Sequence, residues 1–140
     1  PIIFYDPKQH VIAIAHAGWR GSLAGIALTV VDQMCAQFDT NPNFLQIFFG
    51  PSAKACCYCV NDDFLMRLKN FDFAEEVITS SNKKTFFNMT LFNQLLLQKK
   101  GIKQGAFNYT YNKCTLCNTS FCSFRRMNND YRQMTVVALH

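Results

Sequence analysis

The stretch "AIAHAGWRGSLAGIA", residues 13–27, decides the fold because two different hydrophobic patterns meet in it. Before the histidine, Val11–Ala15 is short, apolar and partly β-branched. This predicts a strand buried on both faces, although periodicity alone does not distinguish it from a short buried helix. After the histidine, apolar side chains recur at steps of three and four, which predicts a helix over residues 22–38 with Ser22 as its N-cap.

His16 lies in the connection between this strand and this helix. Gly18 and Gly21 flank the connection, and we expect them to permit unusual backbone dihedral angles and a close backbone approach. Side chains in such connections often contact ligands, so His16 is the first candidate site residue. The other histidines, His10 in a turn and His140 at the terminus, have no comparable setting.

Predicted strands and helices alternate along the rest of the chain. Strands are predicted over residues 1–5, 44–49, 106–111 and 134–139, and helices over residues 61–69 and 88–101. The polar residues 70–85 are expected to be irregular. The pattern predicts one domain over residues 1–140, a mixed α/β sandwich.

The composition narrows the classes of function. The net charge of +5 suits an anionic ligand, but the basic residues are scattered pairs and do not form the stripe typical of nucleic-acid binders. No apolar run approaches the roughly 20 residues that a membrane span needs. Seven cysteines, an odd number, favour a reducing cytoplasmic location over a secreted disulfide framework.

Two pairs of cysteines are candidates for chemistry. Cys56 and Cys57 follow "GPS", and a nucleophilic role would require a lowered thiol pKa and a base, for which His16 is the candidate. Buried free cysteine more often acts as a small hydrophobe. Cys114 and Cys117 form a C-x-x-C pair, but a structural zinc site needs four ligands, usually from two such pairs. Since the sequence has no second C-x-x-C pair, we do not expect a cysteine zinc site, and metal binding or redox cycling by Cys114 and Cys117 is the alternative.

Four motifs occur in a characteristic order: "HAGWRG", "GPS" followed by "CCY", "NMTLFNQLLLQKKGI", and "CTLC" followed by "FCSFRR". In these motifs the chain resembles the YfiH-like family, whose members are called laccase-domain or polyphenol oxidoreductase proteins and purine nucleoside phosphorylases. The resemblance spans nearly the whole chain. It implies an α+β fold, a mixed β-sheet sandwich with flanking helices, similar to the catalytic domain of the cytotoxic necrotizing factor toxins.

The resemblance also implies an activity. Such proteins convert adenosine, inosine or methylthioadenosine, with phosphate, to the base and ribose 1-phosphate, and also deaminate adenosine. The implied cofactor is zinc, with copper as the alternative, and a zinc-bound water could attack the purine C6. Alternatives are a copper-dependent polyphenol oxidase, a cysteine hydrolase using Cys57 and His16, and a non-catalytic binding protein. The oligomeric state is not indicated.

The resemblance assigns roles to individual residues. His16 is the expected metal ligand, and Arg20 and Cys57 are the expected catalytic residues. The residues expected to bind substrate are Ser52, Cys56, Tyr58 and Arg125.

The family's other metal ligands lie in a Q-V-H and an A-D-C motif, and the latter would fall just before Pro1. We therefore expect this chain to be the C-terminal part of a YfiH-like domain. The chain also differs from the family pattern, since Cys59 replaces the glutamate of C-C-Y-E-V and "SAKA" replaces S-I-G-P.

Overall fold

A computed structural model describes residues 1–127 and 131–140 of the chain. The strands are β1 (Ile2–Asp6), β2 (Val11–Ala15), β3 (Gln46–Phe49), β4 (Cys59–Val60), β5 (Ile78–Ser81), β6 (Lys84–Phe87) and β7 (Phe107–Asn108). The helices are α1 (Trp19–Leu23), α2 (Ile26–Phe38), α3 (Asp62–Leu68), α4 (Met89–Lys99) and α5 (Phe124–Met127). Short 3₁₀ turns cover Pro42–Phe44, Ala74–Val77 and Gln104–Ala106.

The strands form two sheets. In the first sheet, of order β2-β1-β3-β7, β1 pairs antiparallel with β2 and β3, whereas β3 and β7 are parallel. The second sheet, of order β4-β6-β5, is antiparallel. The expected α+β class with a mixed sheet and flanking helices is therefore confirmed. The strand predicted before the histidine is β2, with the expected bounds.

The predicted helix over residues 22–38 is wrong at its start, because it is divided into α1 and α2. Ser22 is buried within α1 and is not a cap; its hydroxyl donates to the Ala17 carbonyl (3.1 Å) and accepts from the Asn93 amide (2.9 Å). The break falls at Gly25, whose φ of +77° is in the left-handed region that favours glycine. The Ser22–Asn93 hydrogen bond therefore joins α1 to α4.

We expect Gly25→Ala to lower the free energy of unfolding by about 1 kcal/mol. An added Cβ would have space, since its nearest neighbour is a Leu28 methyl at 3.9 Å, so the cost is backbone strain. Gly105→Ala is the matched control, because a Cβ at Gly105 would meet no atom within 4 Å and its φ is not positive. Urea unfolding measures the stability of both variants. Equal free energies of unfolding for Gly25→Ala and Gly105→Ala would contradict backbone strain at residue 25.

Two groups of buried apolar side chains fill the interior. The first core lies between the first sheet and α2, where Ala27, Val31 and Met34 recur on one helical face. The second core is aromatic and lies among the second sheet, α3 and α4. Helix α4 contributes to both, with Leu97 in the first core and Phe92 in the second. Among the described residues, no helix has the length and hydrophobicity to cross a membrane.

Two expectations for irregular and extended segments are wrong. Residues 70–85 contain part of the β5–β6 hairpin, whose turn residues Asn82 and Lys83 both have positive φ, as a two-residue turn of this kind requires. Residues 134–139 form no strand. Met134 and Val136 are 82% and 74% exposed, so this apolar run has neither a sheet edge nor a core to bury it.

Candidate functional site

The imidazole of His16 is exposed directly after β2 and lies over the backbone of Gly18. A Cβ on Gly18 would be only 3.0 Å from the His16 Nε2 atom. The predicted close approach is therefore confirmed for Gly18. The predicted unusual dihedral angles are wrong there, because its φ of −68° and ψ of 168° are ordinary extended values.

His16 opens onto a cleft of about 390 Å³, which also receives side chains from the loop after β3 and from α5. Tyr58 is almost fully buried, and the Arg125 guanidinium lies 4.4 Å from the centroid of its ring. An Arg125 nitrogen is also 3.5 Å from the Tyr58 hydroxyl. The residues that line the cleft include His16, Trp19, Ser52, Tyr58, Phe124 and Arg125. The structure thus brings four of the predicted site residues together: His16, Ser52, Tyr58 and Arg125.

The environment of Tyr58 keeps its hydroxyl protonated. Burial raises the pKa of the phenol, and the nearby positive charges of Arg125 and Arg20 offset only part of that effect. At neutral pH, Tyr58 therefore offers the cleft a hydroxyl and not a phenolate.

Arg20 does not line this cleft. Its guanidinium lies 4.3 Å from the Trp19 ring centroid and faces a separate cavity of about 630 Å³, which Arg67 and Asn70 also line. That cavity is larger, but the cleft at His16 is the better candidate site, because it combines an imidazole, a phenol and a guanidinium. The catalytic role expected for Arg20 stays a prediction.

Lys54 is a half-buried cation that the sequence patterns did not single out as a site residue. Its Nζ atom donates to the Ser52 hydroxyl (2.8 Å), the Thr90 hydroxyl (3.0 Å) and the Gly50 carbonyl (3.3 Å), and it also contacts the Asn112 amide oxygen. Burial lowers the pKa of Lys54 to about 8. The available signal is the departure "SAKA" itself, which places a lysine where the family pattern has glycine. Ser52 lines the cleft, and its hydroxyl accepts a hydrogen bond from Lys54.

Four of the cysteines form a cluster at the side of the cleft. The Sγ atoms of Cys56, Cys57, Cys114 and Cys117 all lie within 4.8 Å of one another, and those of Cys56 and Cys117 are 3.8 Å apart. The sequence has no second C-x-x-C pair, but the structure places a second pair of thiols beside Cys114 and Cys117. Adjacent Cys56 and Cys57 provide that pair, brought close by folding and not by a C-x-x-C spacing.

The thiols of the cluster differ in acidity. Burial opposes ionisation of Cys114, but backbone N–H groups, among them those of Cys117, Lys54 and Leu116, outweigh it and lower the pKa of this thiol to about 6. Burial raises the pKa of Cys57. An activated nucleophile needs the opposite shift, and Cys57 has no hydrogen bond to His16 in the described structure. The cysteine hydrolase alternative stays a prediction that neither of these two observations supports.

A metal centre at His16 needs more ligands than these residues supply. Catalytic zinc usually has three protein ligands. Within residues 1–127 and 131–140, the four-cysteine cluster is the only group of three or more potential ligands, and His16 is not part of it. The described residues therefore do not by themselves form a metal site at His16.

Comparison with known proteins gives the family. The family described as multi-copper polyphenol oxidoreductase laccase matches residues 1–140, the full length of the chain. The chain belongs to this family. Its name suggests a copper cofactor, and the four-cysteine cluster is the group in the described structure that could hold a metal ion.

Curated relatives carry the names of enzymes that act on purine nucleosides. A purine nucleoside phosphorylase of Aquifex aeolicus is 31% identical over 139 residues, which is 99% of this chain and 61% of the relative. Adenosine deaminase RL5, from an unknown prokaryotic organism, is 33% identical over 132 residues, which is 91% of this chain and 49% of the relative. The chain thus spans about half the length of curated relatives that it matches.

Solved structures share the fold. The structure of YlmD from Geobacillus stearothermophilus matches with a TM-score of 0.80 and 28% identity, over 90% of this chain and 48% of that one. The Bacillus licheniformis protein YfiH matches with a TM-score of 0.79 and 30% identity, over 89% of this chain and 48% of that one. Both likenesses confirm the predicted family and its α+β fold.

Proposed function

We propose that the protein is a purine nucleoside phosphorylase that also deaminates adenosine. The observation that carries the proposal is the meeting of His16, Tyr58 and Arg125 in one cleft. Its volume of about 390 Å³ is in the range typical of small-molecule sites. The names of the relatives support this substrate class.

The proposed reaction assigns tasks to four side chains of the cleft. A phosphate oxygen attacks C1′ of the ribose, the C1′–N9 bond breaks, and its electron pair leaves with the base, which then takes up a proton. Arg125 binds the phosphate, since a guanidinium matches its oxygens. The rings of Trp19 and Phe124 offer faces on which a purine can stack. His16 acts on the base as a general acid or base, a role that an imidazole often has in catalysis.

A role of His16 as a metal ligand, zinc or copper, is part of the same proposal and requires further ligands besides those in the described residues. In deamination, water adds to the purine C6 and ammonia leaves, which gives inosine from adenosine. The catalytic role of Cys57 and the substrate-binding role of Cys56 stay predictions; both thiols belong to the four-cysteine cluster, and neither is among the described residues that line the cleft. The proposed catalytic role of Arg20 has one supporting observation: its positive charge acts on Tyr58 and offsets part of the increase that burial causes in the pKa of that phenol.

Incubation of the protein with adenosine, with and without phosphate, tests the proposal. Adenine and ribose 1-phosphate formed only in the presence of phosphate support phosphorolysis, and inosine formed without phosphate supports deamination. A parallel incubation with a phenol tests the alternative. Oxidation of the phenol, with no adenine or inosine formed from adenosine, would favour the polyphenol oxidase. No turnover of either substrate would favour a binding protein.

We expect Arg125→Ala to raise the KM for phosphate by about 10-fold or more, the effect of losing a charge-assisted hydrogen bond of about 1.5–3 kcal/mol. The KM for the nucleoside should change less. Arg67→Ala is the matched control, because this exposed arginine lines the separate cavity. Steady-state kinetics with each substrate varied measure both constants. An unchanged phosphate KM in Arg125→Ala would assign the phosphate to another residue.

A further inference from the structure

The four-cysteine cluster is held together by backbone contacts between two loops. The Ser52 amide donates to the Lys113 carbonyl (3.1 Å), and the Thr115 amide donates to the Ser52 carbonyl (3.0 Å). This bridge places the loop that carries Cys56 and Cys57 beside the loop that carries Cys114 and Cys117. Both of these hydrogen bonds join main-chain groups, so part of the contact between the two loops does not depend on the thiols.

The sulfur positions match a tetrahedral zinc site. With Zn–S bonds of about 2.3 Å, ligand sulfurs at the corners of a tetrahedron lie about 3.8 Å apart. The Cys56 and Cys117 sulfurs are 3.8 Å apart, and all four are within 4.8 Å of one another. A disulfide would require about 2.05 Å between the bonded sulfurs, and all four of these cysteines are free.

The polar surroundings suit four thiolates around a dication. Such a centre carries a net charge of −2 after the four thiols have released their protons. Lys54 lies close enough to Cys114 and Cys56 to interact with them electrostatically, and its cation would offset part of that charge. The amides of Cys117 and Leu116 also donate to the Cys114 sulfur. Hydrogen bonds of this kind orient metal ligands and stabilise the thiolate.

We propose that Cys56, Cys57, Cys114 and Cys117 form a structural zinc site that cross-links the two loops beside the cleft. The proposal is independent of the reaction proposed above. All four positions are taken by protein sulfur, so the metal has no open position for a substrate. The site stabilises the loop that carries Tyr58 and the segment that leads to Arg125, and thereby fixes one wall of the cleft.

Two of the three remaining cysteines, Cys59 and Cys122, serve as controls. Cys59 is two residues from Cys57, but its thiol is exposed and directed to the Val60 carbonyl. Cys122 is exposed on the second loop, outside the cluster. Serine at either position should leave zinc binding unchanged, whereas serine at a cluster position removes a ligand.

The zinc content of the purified protein and its variants tests the proposal directly. We expect protein purified with zinc and a non-thiol reductant, then dialysed, to retain one equivalent of zinc at the cluster. Cys114→Ser and Cys56→Ser should each reduce that zinc at least 10-fold, and Cys59→Ser and Cys122→Ser should retain it. His16→Ala should also retain it, which separates this site from any metal bound at the cleft. Zinc that persists in both cluster variants, or is absent from the unsubstituted protein, overturns the proposal.

Cobalt substitution is a second test, and it uses the unsubstituted protein, so it does not require any variant to fold. Co²⁺ bound by the unsubstituted protein should show sulfur-to-metal charge transfer in the near ultraviolet and the strong visible bands of tetrahedral cobalt. A weak octahedral spectrum overturns the proposal. A disulfide mapped by peptide mass spectrometry between two of the four cluster cysteines, under the same reducing conditions, also overturns it, because those two sulfurs would then be bonded to each other and not to a metal.

Discussion

Replacing His16 with alanine is expected to lower kcat/KM for nucleoside turnover by about 100-fold or more, the usual effect of losing a general acid or base. The imidazole is exposed, so the free energy of unfolding should change by less than about 0.5 kcal/mol. Initial rates of adenosine phosphorolysis and urea unfolding of the same preparations measure the two effects. Retained turnover would make His16 a surface histidine and remove the basis of the proposed reaction.

Two further variants make this experiment specific. His140→Ala removes a histidine at the chain terminus and should leave turnover unchanged. Gly18→Ala keeps the imidazole but adds a Cβ 3.0 Å from its Nε2 atom, so the ring must move. We expect an intermediate loss of turnover in that variant. Full activity in Gly18→Ala would mean that the position of the ring over the backbone is not required.

The largest effect on stability is expected from Phe92→Ala. Phe92 is fully buried in the second core, with its ring centroid 4.8 Å from that of Phe71, 5.4 Å from Phe73 and 5.6 Å from Phe87. Its removal loses this apolar contact and leaves a cavity among rigid rings, which typically costs about 3–5 kcal/mol. Chemical denaturation followed by circular dichroism measures the change.

Phe38→Ala is the control for that experiment. Phe38, the last residue of α2, is 47% exposed, so its truncation should cost less than about 1 kcal/mol. Similar decreases in the free energy of unfolding of Phe92→Ala and Phe38→Ala would mean that the second core relaxes around the missing ring. If Phe92→Ala costs more than the free energy of unfolding of the unsubstituted protein, the variant will not fold. Phe92→Leu, which removes less of the side chain, then gives a smaller decrease that can be measured.

Local patterns predict the parts of the fold that depend on neighbouring residues. The apolar composition of residues 11–15 predicts strand β2, and Asn88 predicts the start of α4, where its side chain accepts from the Leu91 amide (3.1 Å). The break at Gly25 has no such signal because the helical pattern continues across it. The β5–β6 hairpin also escapes prediction, because its strands are short and mostly polar and its turn lacks the usual glycine.

The candidate site is predictable only in part, for a related reason. His16 stands out by its place at a strand–helix junction, and the family resemblance points to Tyr58 and Arg125. The thiol cluster does not stand out, because spacing along the chain is the only measure of proximity that a sequence offers. Cys57 and Cys114 are far apart in sequence, and the pairing of β3 with β7 and the bridge between Ser52 and Cys114 bring them together. Non-local proximity of this kind has no periodic signal.

The parallel pairing of β3 with β7 has a consequence for the kinetics of folding. Ile47 pairs with Phe107, about sixty residues later along the chain, and the Ser52–Cys114 bridge follows the same two segments beyond the ends of these strands. Closing so long a loop is slow unless the residues between have already become compact. The β1–β2 hairpin closes a short loop and is expected to form early, whereas the β3–β7 pair is expected to form later. The two cysteine loops therefore meet late, and metal uptake during refolding would report the time at which this pair closes.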